Sequence, residues 1–312
     1  MSAGATILGK VFSIFLLILV GFVASKRGML SAQGVGDITS LLMKIVVPCV
    51  IVHSFISARG QLTLTEMALA AALPILAALI GLSVARLSFR KEKSPPRKNV
   101  LQYAVAFSNT GYMGLPLAKA IVGDSGMIYA SFGVVVFNIF TWTFGYRMMN
   151  RESKRSAFTA LLNPGVLGLL MGLPIYFSGI QLPDFLLSPL NMMSNLNTPL
   201  AMVVIGTHIS KLPLKALISD KAVYLMSGLR LLLCPALFLA VMLPLRALFP
   251  FDSRILLTAV LQAATPTAAN CVLFATQFRQ DALLASKTVA VSTLLSIVTI
   301  PLFILLTQTL TG

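Results

Sequence analysis

From residue 6 to residue 308 the chain is a string of apolar runs, each bounded by charged or turn residues. The runs lie near 6–25, 36–57, 65–89, 99–122, 126–148, 160–179, 185–210, 222–246, 254–277 and 282–308. Each supplies the roughly 20 helical residues that a hydrocarbon core requires. Backbone groups in lipid have no water to bond, so runs of this kind fold as helices. The fold class expected is an all-α polytopic membrane protein with ten transmembrane helices. Composition agrees: 57% of the 312 residues are hydrophobic and 11% charged, against about 25% charged in soluble domains. In a soluble chain a net charge of +15 would suggest nucleic acid. Here it reads as loop charge, so the expected partner is the lipid bilayer and no nucleic acid.

The basic residues give the orientation. Lys26 and Arg27 follow the first run. Arg86, Arg90, Lys91, Lys93, Arg97 and Lys98 flank the third connection, and Arg147, Arg151, Lys154 and Arg155 the fifth. Lys211, Lys215 and Lys221 sit in the seventh and Arg279 in the ninth, whereas the even connections hold only Arg59, Arg246 and Arg254. Basic loops stay cytoplasmic, so a cell (inner or plasma) membrane protein with both termini extracytoplasmic is expected. The basic residues after Ala24-Ser25 do not fit a cleavable leader. Five spans in each half start from opposite faces. Repeats 1–150 and 151–312 would therefore be inverted. Pro48 and His53 in span two match Pro199 and His208 in span seven; Pro74 in span three matches Pro235 in span eight.

Two spans carry breaks at matched depth: Ser108-Asn-Thr-Gly-Tyr-Met-Gly-Leu-Pro116 in span four and Ala264-Thr-Pro-Thr-Ala-Ala-Asn270 in span nine. At 1.5 Å per residue, Asn109 lies about 16 Å beyond Lys98 and Pro266 about 18 Å beyond Arg254. Both therefore sit near the middle of a core about 30 Å thick. Glycine and proline destabilise helix there. The freed amides and carbonyls are expected to face a cavity, and the half-helix N-termini to offer it positive potential. A matched pair of broken spans points to a transporter's binding site.

Asn109-Thr-Gly-Tyr-Met-Gly-Leu-Pro116 resembles the Asn-Thr-x-x-Met-Gly-[Ile/Leu]-Pro motif of the auxin efflux carrier family, PIN-like members of the bile acid/arsenite/riboflavin transporter superfamily. The resemblance extends to Pro48, to Asn197-Thr-Pro-Leu200 with Gly206, to Pro266 and to Ser286 through Pro301. It implies two inverted five-helix repeats with crossing broken helices four and nine, and scaffold and transport domains each built from both repeats. It also implies a small organic anion as substrate and, by analogy alone, a homodimer. The site residues carried over are Asn109, Thr110, Pro116, Pro266 and Asn270, then Asn138 and Asn197; Gly111 belongs to the same break. The surroundings of Thr265-Pro266-Thr267 differ from the plant carriers, which argues against auxin itself.

The nine carboxylates all fall in loops or at span ends. This removes carboxylate proton relays and paired-carboxylate catalysis. It also removes a carboxylate-built sodium site, although backbone carbonyls at the breaks stay available for sodium. Lys119, one turn beyond Pro116, leans towards the midplane and is a candidate for the substrate, while Lys44 and Arg230 are expected to snorkel towards the cytoplasm. His53 and His208 read as interfacial hydrogen-bonders. Cys49, Cys234 and Cys271 read as buried free thiols. No nucleophile–His–acid set or metal cluster is evident, so neither an enzyme nor a cofactor is expected. A ligand-binding sensor and a sodium- or proton-coupled symporter are the alternatives to a carrier driven by gradient or potential.

Overall fold

The structure is a computed structural model that describes residues 3–57, 62–150, 164–211 and 220–311. Arg59, Arg151, Lys154, Arg155 and Lys215, used above for orientation, lie outside the described residues. Helix is the only regular structure among those described. We number the helices α1 (Ala3–Lys26), α2 (Ala32–Ser57), α3 (Leu64–Ser88), α4 (Pro95–Ala106), α5 (Leu115–Val122), α6 (Asp124–Met149) and α7 (Pro164–Ser178). There follow α8 (Asp184–Asn195), α9 (Asn197–Ser210), α10 (Lys221–Leu248), α11 (Ser253–Ala263), α12 (Asn270–Gln277) and α13 (Ala282–Thr311). By length and composition α2, α3, α6, α10 and α13 can each cross a membrane. Large apolar side chains cover the outside, Val298, Met171 and Phe177 among them, as suits a protein whose solvent is hydrocarbon.

Local sequence explains the boundaries. Thr63 and Glu66 form a capping box at the start of α3, and Asp220 and Asp252 cap α10 and α11. Gly123 joins α5 to α6 at φ +86°, a conformation that residues with a Cβ avoid.

Three of the four π-turns end two residues before a proline: Leu42–Val46 before Pro48, Thr110–Gly114 before Pro116, and Leu229–Leu233 before Pro235. Proline has no N–H and its ring collides with the carbonyl four residues back. In each case the residue preceding the proline donates five residues back instead, as Val47 does to Leu42 and Cys234 to Leu229. The widened turn makes room for the ring without ending the helix. The fourth π-turn, Thr141–Gly145 in α6, has no such proline.

Small residues set the closest helix pairs. Gly21 of α1 faces the Val203 backbone of α9, and a Cβ on Gly206 of α9 would overlap the Ile18 carbonyl of α1. In α7, Gly168 lies against Pro48 and Gly172 against Phe55 of α2. Without a hydrophobic force between helices in lipid, such close backbone approach is a main source of packing energy.

Candidate functional site

Both expected breaks are present, and they meet. α4 stops at Ala106 and α11 at Ala263; the chain resumes as helix at Thr110 and at Asn270. Between them the two strands of irregular backbone form one antiparallel bridge, Ser108 with Thr267. The Asn109 N–H donates to the Pro266 carbonyl at 2.8 Å, and the Ala268 N–H to the Phe107 carbonyl at 2.9 Å. Thr267 adds two bonds, its N–H to the Ser292 hydroxyl and its hydroxyl to the Ala104 carbonyl. This corrects the expectation that the freed backbone faces a cavity. Much of it is satisfied inside the protein, because each break supplies what the other lacks.

The crossover has two unlike faces. On one face, Asn109, Gly111 and Tyr112 of the first break and Ala268, Ala269 and Asn270 of the second line a cavity with Asn138 of α6 and Met43 and Val47 of α2. Asn109 is 3% exposed and Asn270 6%. The Nδ2 of each is buried without a hydrogen-bond partner. Asn138 is turned back, its Nδ2 donating to Val134 O at 2.9 Å. Helices begin here: the π-turn leading into α5, and α12 at Asn270 itself. Their positive dipole ends lie on this side, although the Thr110, Cys271 and Val272 amides are bonded within their own turns.

On the other face lie the C-termini of α4 and α11. Ala106, Ser108, Thr110, Gln262, Ala263 and Arg230 line that cavity, with Phe137 standing between the two. Gln262 crosses to α6, where its Nε2 donates to Ala130 O at 2.9 Å. Arg230 is 2% exposed. It donates to Val105 O at 3.0 Å and to Ala263 O. The expectation that Arg230 snorkels to the cytoplasm is therefore wrong. Its side chain runs inward to the carbonyl ends of both half-helices.

A third cavity gathers Pro116, Lys119 and Asn197 with Asn195, Thr198 and Ser194. Lys119 is exposed and reaches Asn195 Oδ1 at 3.4 Å. It is apart from the Asn109–Asn270 cavity, not aimed at it. Pro266 is buried and lines none of these three cavities; its contribution is the carbonyl that binds Asn109. The nine expected residues thus divide. Asn109, Gly111, Asn138 and Asn270 share one cavity; Thr110 faces the second; Pro116, Lys119 and Asn197 share the third.

Sequence reasoning missed Gln262, Arg230, Tyr112 and the α2 pair Met43 and Val47. Gln262, an amide four residues before Pro266 in an apolar run, was a readable signal. The other ionisable groups fit a site without acid. No described carboxylate is buried, and the ion pairs among the described residues are Arg97 with Glu92 and Asp220, and Arg254 with Asp252. The three cysteines are free, with Cys49 only half-buried. His53 Nδ1 is buried without a partner, so that atom does not serve as the expected hydrogen-bonder.

Comparison with known proteins agrees with this geometry. The chain matches the membrane transport protein family over residues 6–160 and 154–304. An uncharacterized transporter of Methanothermobacter thermautotrophicus is 25% identical over 305 residues, covering 94% of this chain and 96% of that protein. A Rhizobium meliloti protein named "Putative malonate transporter" is 24% identical over 314 residues, covering 95% and 94%. An uncharacterized transporter of Methanocaldococcus jannaschii is 25% identical over 218 residues, covering 66% and 70%. With broken helices meeting in an apolar helical body and the family matched along most of its length, the chain belongs to the membrane transport protein family, that of the auxin efflux carriers, and is a transmembrane transporter.

Proposed function

We propose that the chain carries a small organic anion, a carboxylate, across the cell membrane by alternating access, with the anion held on the Asn109–Asn270 face of the crossover. One observation carries this reading: two buried, unpartnered amide donors converge on one cavity at two helix N-termini. Unpaired buried donors are costly, about 1–3 kcal/mol each, and persist where a ligand completes them. A carboxylate accepts from both Nδ2 groups and sits at the positive dipole ends. A cation there meets donors and no counter-charge. The name of the Rhizobium relative points to the same ligand class.

The free space between these residues is about 20 Å³, room for about one water. Seating a carboxylate therefore requires Met43 and Val47 of α2 to draw back from the crossover. We read α1, α2, α7, α8 and α9 as the scaffold and the other helices as the moving body. Support comes from the packing of α1 on α9 and of α2 on α7. Spans one and seven exchange with spans six and two under the inverted-repeat relation, so these two pairs are equivalent contacts. Ten spans, repeats 1–150 and 151–312, and extracytoplasmic termini belong to the same proposal.

A thermal-unfolding screen of purified protein tests the ligand class. Mono- and dicarboxylates, malonate among them, should raise Tm, and amines of equal size should not. Stabilisation by amines alone would refute the anion assignment.

A further inference from the structure

Arg230 presents an unusual electrostatic situation. It is fully buried, no carboxylate lines its cavity, and it takes part in none of the ion pairs among the described residues. Its partners are backbone oxygens from the last turns of two different helices, Val105 O of α4 and Ala263 O of α11. Such carbonyls have no intrahelical partner. Each helix C-terminus carries about half a negative charge, so two of them together offset about one guanidinium. The charge balance closes without an acid. Burying an arginine this way is otherwise prohibitive.

Carbonyls at half-helix C-termini are also what transporters use to bind a coupling cation. Here those oxygens are taken by a cation belonging to the chain. Two more oxygens lacking a partner, Thr110 Oγ1 and Gln262 Oε1, line the same cavity. Without the guanidinium, the Val105 and Ala263 carbonyls would be left free beside a cavity whose lining also carries those two oxygens.

We propose that Arg230 is the resident cation of the crossover, holding the seat a sodium ion would otherwise occupy, so that transport runs without sodium coupling. Arg230 lies within the π-turn ahead of Pro235, and the planar fork of its guanidinium reaches two separate carbonyls where an ammonium is a single point. The two ends of the crossover then have complementary roles: a fixed cation at the helix C-termini, an anion received at the N-termini.

The transport arm of the test rests on the anion reading; the unfolding arm does not. Wild-type protein should have the same Tm in sodium chloride and in choline chloride of equal ionic strength. Arg230→Ala should melt lower in choline and be restored by sodium or by millimolar guanidinium. Labelled-carboxylate uptake by that variant should fall about tenfold or more and recover with the same cations. If Arg230→Ala does not fold, Arg230→Lys keeps the charge and should stay indifferent to sodium. Sodium-specific stabilisation of wild type or of Arg230→Lys, or an Arg230→Ala protein no more cation-responsive than wild type, overturns the proposal. Absence of carboxylate uptake by wild type in every salt would instead defeat the anion reading, leaving the melting result to judge Arg230.

Discussion

Truncating Asn109 should separate function from stability. Its structural bonds are made by backbone: the N–H to Pro266 O, and the carbonyl accepting from the Met113 and Gly114 amides. All three survive Asn109→Ala. The Nδ2 group is buried and unpartnered, so removing it relieves a penalty of about 1–3 kcal/mol. A small loss of packing works against this. Stability should therefore end within about 1 kcal/mol of wild type, or above it. Binding should respond differently. A hydrogen bond to a charged group contributes about 1.5–3 kcal/mol, so half-saturation for the transported carboxylate should rise about 10- to 150-fold. Unfolding of purified protein gives the first quantity and uptake titration in proteoliposomes the second. Asn270→Ala should behave alike. A large loss of Tm with unchanged half-saturation would show that the amide is structural and refute the reasoning.

Gly206→Ala should destabilise by about 1–3 kcal/mol, because its Cβ would overlap backbone of α1, whereas Gly228→Ala, helical with open space around it, should gain about 0.5–1 kcal/mol; thermal unfolding compares them. Single cysteines at Lys91 and Ser178, in a background free of native cysteine, should react with an impermeant thiol reagent from the cytoplasmic and outer sides respectively, and the reverse would invert the topology. Partial burial alone would raise the Asp220 carboxyl, but the hydrogen bonds from Arg97 and from the Ala222 amide outweigh it and hold the pKa below its usual value. The stability this gives is complete above the unfolded pKa near about 4 and is lost as pH falls through the lower folded value; Asp220→Asn should therefore flatten the dependence of Tm on pH in that acid window.

The breaks were legible in sequence because glycine, proline and asparagine in an apolar run have no place in a continuous lipid-exposed helix. That they bond each other was not, since a backbone bridge carries no side-chain signature. Arg230 was misplaced for a definite reason. Side-chain lean towards the helix N-terminus was read as a route to the cytoplasm, whereas Arg230, in the π-turn Leu229–Leu233, is held by carbonyls of two other helices. The signal for that turn was present as Pro235, and Pro48 and Pro116 announce their π-turns in the same way. Lys119 was assigned to the midplane from its lean along α5. It lies ten residues beyond Asn109, about 15 Å along a helix axis, which separates the two cavities.

Counterflow of the labelled carboxylate that raises Tm most, in proteoliposomes, tests the central claim most directly. Vesicles loaded with the same unlabelled carboxylate should accumulate label when they contain wild-type protein. Other carboxylates should compete and amines should not, and the Asn109→Ala, Asn270→Ala double variant should show little accumulation while remaining folded. Equal accumulation by wild type and the folded double variant would contradict an anion site at the crossover.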